Sequence, residues 1–311
     1  MLGLRTAAAV ILLVLGAGLL SLPVAHVLAT AVNGLVLRHR VFRALPWLRI
    51  GRSLTSRRVL RQNLGLSLWF AANSLINLLA SMALGRLVAG KVLGLGTVTS
   101  LVLTSRLYGL VIGSALTPVL SSARPLLAYL LAQGQQEAVT GRFVRVHNLY
   151  FCLAILLTAS VWAGNGTFVR CWVGLSNYAG LGADLAVACA TIIAAWNATF
   201  RMLLTAALQA RPLAICRTVE ASLNALLLFL VASRFGLTGI VLAAPVASLL
   251  TSAWFEVYLG ARVLQQTTRT LVGKLLARAA FLALLLVPLA WMAHYLAARV
   301  GGYVGAFLGG T

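Results

Sequence analysis

Acidic side chains are nearly absent from this sequence. Glu137, Asp184, Glu220 and Glu256 are the only four in 311 residues. Enzymes that act on magnesium diphosphates need clustered aspartates, because Mg2+ is held through carboxylate oxygens. A single Asp argues against a polyprenyl transferase of that kind. Charge of either sign is scarce at 9% of residues, against about a quarter in a soluble domain. The four cysteines, Cys152, Cys171, Cys189 and Cys216, follow no metal or redox spacing. No metal site and no cofactor are expected.

Apolar residues make up 61% of the chain, and the mean hydropathy is +0.98. The apolar runs continue for roughly 20 residues, the length of a membrane-crossing helix, where a barrel would show short alternating strands. The sequence therefore predicts an all-α, polytopic membrane protein. Spans are expected near 18–37, 64–86, 92–119, 147–165, 180–208, 215–234, 237–259 and 274–298, with a further apolar stretch at 2–16, giving about 8–9 transmembrane helices.

The basic residues orient these spans. The net charge is +21, and segment 38–62 alone holds eight arginines. Placing that segment in the cytoplasm and alternating from there leaves 17 Lys/Arg on the inner side and five outside. That bias is the positive-inside rule, reinforced by attraction to anionic lipid headgroups. Because the basic residues lie mostly in short loops between spans, nucleic acid is not an expected partner; membrane lipids are. The longest outer loop, 166–179, is too short for the large outer loop typical of a polysaccharide polymerase or ligase.

An internal repeat appears at a shift of 222 residues. Pro23, Val24, Ala25, Ala31, Leu37, Arg40 and Val41 fall on Pro245, Val246, Ala247, Ala253, Leu259, Arg262 and Val263. Duplicated halves with a site between them are the common plan of transporters. The same shift sets Met1 on Leu223, inside a span, so several N-terminal spans are expected to be missing.

Within the spans, polar residues recur at helical spacing: Asn73, Asn77 and Ser81; Asn197, Arg201 and Thr205; Arg217, Glu220 and Asn224; Ser248, Ser252 and Glu256. For Ser, Thr and Asn the ordinary explanation is hydrogen bonding between helices, worth about 0.6 kcal/mol each. Arginine is different. Arg106 falls close to mid-span, where it costs about 2.5–3.5 kcal/mol on insertion scales and is too deep to snorkel. Arg201 lies nearer the cytoplasmic end. Glu220 and Glu256 could pair with some arginines, and they are the only candidates for proton or sodium coupling. A basic interior with few acids suits an anionic ligand, since the planar guanidinium donates two parallel hydrogen bonds to phosphate. Arg106, Arg201, Asn73, Asn77 and Asn197 are therefore the expected lining of a hydrated cavity, with no catalytic residue among them.

Three passages carry a resemblance: "VTSLVLTSRLYGLVIGSALTPVLSSARPLLA" (Val98 to Ala128), "GTFVRCWVG" (Gly166 to Gly174) and "GLTGIVLAAPVASLL" (Gly236 to Leu250). With them the chain resembles the polysaccharide transport family of the multidrug/oligosaccharidyl-lipid/polysaccharide exporter superfamily, the flippases for lipid-linked oligosaccharides such as O-antigen. The resemblance implies part of a two-lobed fold of 12–14 helices. Residues 1–37 would end the first lobe, 38–62 would form a basic cytoplasmic linker, 63–259 the second six-helix lobe, and 260–311 a trailing helix region. It also implies a polyprenyl-pyrophosphate-linked glycan as substrate, polysaccharide assembly proteins as further partners, and a bacterial inner (cytoplasmic) membrane location. The function expected is alternating-access export, not an enzyme activity. The rivals are a multidrug-type exporter of the same fold, a membrane-embedded enzyme of polysaccharide synthesis, and an inactive truncated remnant.

Overall fold

The computed structural model describes residues 2–45 and 56–276, except 17, 81, 175 and 176, together with a few positions between 284 and 295. The chain divides into two compact units, residues 1–62 and 63–311. Among the described residues every regular element is helical. In the first unit, α1 (Leu2–Val14) packs against α2 (Ser21–Ala44). Gly16 and Gly18 both have positive φ and reverse the chain between these helices. The seam is made of small residues: Ala9, Ser21, Ala25 and Ala29 are buried, which lets two backbones approach closely.

Seven more helices follow: α3 (Arg57–Ala80), α4 (Met82–Val92), α5 (Leu95–Ala132), α6 (Gln136–Val173), α7 (Leu181–Ala206), α8 (Ala210–Leu250) and α9 (Ser252–Val263). Glycines with positive φ punctuate them, at Gly94 before α5, Gly174 after α6 and Gly180 before α7. Helix α7 packs against α5, α6, α8 and α9 and so forms the centre of the second unit. Apolar residues at helical spacing build that centre. Leu101, Tyr108, Ile112 and Leu116 of α5 meet Phe151 and Ile155 of α6 and Val187 and Ala195 of α7. Lower along α7, Phe200 and Leu203 pack with Phe143, Val257, Ala261 and Leu271. Gly260 permits this contact, since a Cβ there would fall 2.8 Å from the Phe200 ring.

Five helical segments are long and apolar enough to cross a membrane: Leu95–Ala132, Gln136–Val173, Leu181–Ala206, Ala210–Ala232 and Arg234–Val263. Their outward faces carry large apolar side chains such as Leu126, Leu149, Leu185, Leu226 and Phe229, a surface suited to lipid. The expected count of eight to nine spans is therefore five by this measure among the described residues. Helices also occupy 18–37, 64–80 and 82–86, outside those five. The expected span 274–298 lies largely outside the described residues, as do positions 46–55 of the basic linker.

Several helices outrun their expected spans. Helices α5 and α6 have 38 residues each, about 57 Å at 1.5 Å per residue and nearly twice the hydrocarbon core of about 30 Å. The loops expected at 120–146 and 166–179 shrink accordingly, to 133–135 and 174–180. Hydropathy marks where apolar residues stop. The backbone hydrogen-bond ladder continues past that point. The turn expected at 235–236 is a kink at Gly236 (φ 54°, ψ −138°) inside α8. The two repeat copies also differ locally. Gly18 precedes Pro23 by five positions and Gly236 precedes Pro245 by nine, and Pro23 sits in the first turn of α2 while Pro245 is inside α8.

Candidate functional site: a basic chamber

Helices α4, α5, α7 and α8 enclose a half-open chamber of about 680 Å3, within the range of about 300–1,000 Å3 usual for ligand sites. Arg106 and Arg201 line it, joined by Arg86, Arg217, Glu220, Asn197 and Ser248. Arg106 is exposed to this space and makes no hydrogen bond or ion pair among the described residues. It is the twelfth residue of α5, so at 1.5 Å per residue it sits about 17 Å from the helix start, near half the thickness of a bilayer core.

The other arginines are partly matched. Arg201 donates from Nε to both oxygens of Glu256, at 3.0 and 3.3 Å. Arg217 pairs with Glu220 one turn further along α8. Glu220 and Glu256 thus pair with two of the arginines, as the sequence allows. With all six groups ionised, four arginines against two carboxylates leave an excess of two positive charges.

Two of the polar stripes meet each other. Asn197 Nδ2 donates to Ser248 Oγ at 2.6 Å and Ser252 Oγ at 3.2 Å, and the two hydroxyls lie 3.0 Å apart. One turn on, Arg201 meets Glu256. The stripe of α7 therefore faces the stripe of α8 and α9, and only Asn197, Arg201 and Ser248 also reach the chamber. The chain is broken here: Thr251, at φ −129° and ψ −84°, separates α8 from α9. The short stretch between Gly236 and Thr251 supplies Ala244, Pro245 and Ser248 to the chamber wall. Discontinuous helices of this kind line the sites of many transporters.

The remaining expected residues fall elsewhere. Asn73 does not line the chamber, and its Oδ1 is buried without a partner. The side chain of Asn77 lies outside the described residues. Glu220 is on the chamber wall, whereas Glu256 is fully buried behind Arg201.

One cluster has no precedent in the stripes. Asp184, in the first turn of α7, is completely buried and accepts from Tyr108 Oη at 2.9 Å, Asn165 Nδ2 at 2.7 Å and Tyr178 Oη at 2.9 Å. Asn165 also donates to the Thr104 carbonyl, and Thr104 Oγ1 accepts from the Ala179 amide. This knot joins α5, α6, α7 and the 174–180 connection. Burial and the nearby Asp184 carboxylate push the Tyr178 hydroxyl well above the usual phenol range, so it remains a donor. Tyr108 links the knot to the chamber, whose wall it shares. From sequence, Asp184 reads as a boundary residue, Asn165 as part of a glycosylation pattern and Tyr178 as an interfacial aromatic. The one available signal was a lone Asp in an acid-poor chain.

His147 and Trp162 sit in the core. His147 is fully buried among Phe143, Phe151, Trp196 and Phe200. Its Nδ1 lies 2.6 Å from Thr199 Oγ1. That hydroxyl donates to the Trp196 carbonyl, which leaves it to accept from Nδ1–H. Trp162 is 7% exposed, inside the α5–α6–α7 core.

Beside the chamber lies an apolar groove of about 230 Å3, lined by Phe151, Trp196, Leu249, Trp254, Val257 and neighbours. Ile193 of α7 borders both spaces. A charged compartment and an apolar one thus adjoin across a single helix. No family model, no curated protein and no solved structure matches this chain.

Proposed function

We propose that this chain belongs to an alternating-access exporter that moves a polyprenyl-diphosphate-linked glycan from the cytoplasmic to the outer leaflet of a bacterial inner membrane. The observation that carries this reading is an Arg106 that pairs with no described residue, about 17 Å along α5, facing a chamber with more guanidinium than carboxylate charge. In a dry bundle such a group would be neutralised or excluded. A diphosphate offers it charge and paired acceptors. The sugars would meet Asn197 and Ser248, and the prenyl chain would lie in the apolar groove across Ile193. An inside-negative potential would favour outward movement of the anion by about 2.3 kcal/mol per charge per 100 mV.

A cation exporter of the same architecture would meet repulsion in this chamber. An ion-coupling role falls more naturally to Glu220, on the chamber wall, than to Glu256, which is buried behind its arginine. The breaks at Gly236 and Thr251 are the natural hinges for opening one end at the expense of the other.

The test is glycolipid translocation by the reconstituted protein. Arg106→Ala is expected to slow it by about 10- to 100-fold, the equivalent of one charge-assisted contact of about 1.5–3 kcal/mol. The fold should be unaffected, since no described residue pairs with Arg106. Unchanged translocation would remove Arg106 from the site.

A further inference from the structure

We infer that Glu256 is a positioning residue that aims Arg201 at the ligand, and not an ion-binding group. This rests on the anion-chamber reading above and gives Glu256 a place within it. Both hydrogen bonds between the pair come from Arg201 Nε. The two terminal nitrogens of Arg201 make none among the described residues. The Arg201 side chain is 26% exposed and borders the chamber, whereas that of Glu256 is 0% exposed and does not border it. The carboxylate therefore grips the guanidinium from the rear. What remains on the chamber side is the fork of two parallel N–H donors that fits a phosphate.

The surroundings fit a fixed mount. Glu256 lies on α9 one turn beyond Ser252, which is itself held by Asn197. Asn197 precedes Arg201 by one turn of α7. Arginine and carboxylate are thus anchored on two helices that are already tied together. Glu220 pairs with Arg217, so it is not the acid that sets Arg201. A guanidinium held through Nε loses little freedom when a phosphate docks on its far edge. Arg106, with no partner, has no such mount.

Positioning and simple charge neutralisation predict opposite results. If Glu256 only offset a charge, removing it would tighten anion binding. If it orients the fork, losing the acceptor weakens binding although a negative charge has gone. The measurement is calorimetric binding of inorganic pyrophosphate to the full chain in detergent, repeated with a polyprenyl diphosphate in micelles to separate headgroup from lipid recognition. Glu256→Ala is expected to bind about tenfold more weakly. Glu256→Gln, whose amide oxygen still accepts from Nε, should bind at least as tightly as the unchanged chain. Arg201→Lys keeps the charge but has no fork, and it should lose about as much as Glu256→Ala. Parallel changes in the Ala and Gln variants, tighter binding by Glu256→Ala, or full affinity in Arg201→Lys would overturn the inference. Should Glu256→Ala fail to fold, Glu256→Leu, which fills the space but offers no acceptor, takes its place in the same comparison with Glu256→Gln. Absence of pyrophosphate binding to the unchanged chain would remove the chamber reading, and this role with it.

Discussion

Arg201→Ala is expected to destabilise the protein by about 3 kcal/mol, near the low end for breaking a buried ion pair. The reason is asymmetric burial. Arg201 borders the chamber and can reach water there, but Glu256 is fully buried. Deleting the arginine leaves a fully buried carboxylate without its hydrogen-bonded counterion. Deleting the carboxylate strands a guanidinium that can still turn toward the chamber, so Glu256→Gln should cost only about 1 kcal/mol, one net hydrogen bond. The double variant Arg201→Ala with Glu256→Gln should recover much of the loss, because neither partner then leaves a buried charge without its counterion. Equilibrium unfolding in mixed micelles, arranged as a double-mutant cycle, measures the coupling. Additive effects would mean that the two side chains are not paired as described.

The second large effect falls on Asp184. Asp184→Ala is expected to cost about 3 kcal/mol, from orphaned donors that are only partly relieved by relaxation. The three donors differ in what they lose. Asn165 keeps its bond to the Thr104 carbonyl. Tyr178 is half-buried and can find water. Tyr108 is 3% exposed and has no such recourse. Tyr108→Phe in the Asp184→Ala background should therefore recover about 1 kcal/mol, while Tyr178→Phe there should recover little. Because Tyr108 reaches from the knot into the chamber wall, the same loss should loosen that end of the chamber. An Asp184→Ala stability within about 0.5 kcal/mol of the unchanged chain would show that the knot does not hold these helices together.

Much of this arrangement could be read from residue spacing, for identifiable reasons. A charge at mid-span has few low-energy environments, so the sequence points to a cavity at Arg106, and Arg106 does line a chamber. Positions four apart share a helix face, so Asn197 with Arg201, and Ser252 with Glu256, were expected to act together. What spacing could not show is the neighbour of each face. The two stripes face each other, which pairs Arg201, whereas Arg106 pairs with no described residue. Asn73 belongs to a stripe of the same kind, yet it does not line the chamber.

The Asp184 knot was hidden for a different reason. Its donors lie at positions 108, 165 and 178, and each of those residues has a commonplace reading alone. Only packing brings them to one carboxylate. Helix ends were hidden too. Hydropathy reports where side chains turn polar, but Pro118, Pro125 and Arg124 all lie within α5, which runs on to Ala132.

The central claim is that the space around Arg106 is wet and favours anions. Gly109 lies one turn from Arg106 on the same wall, and a Cβ there meets nothing within 4 Å. Gly109→Cys, in a chain whose four native cysteines are replaced, places a thiol in the chamber while keeping every arginine. The measurement is its rate of modification by small membrane-impermeant thiol reagents of opposite charge. The negatively charged reagent should react about tenfold faster than the positively charged one, as expected for a focused basic cleft. Pyrophosphate should protect the thiol, and Arg106→Ala should shrink the preference. A thiol that reacts with neither reagent, or faster with the cationic one, would contradict a hydrated anion chamber.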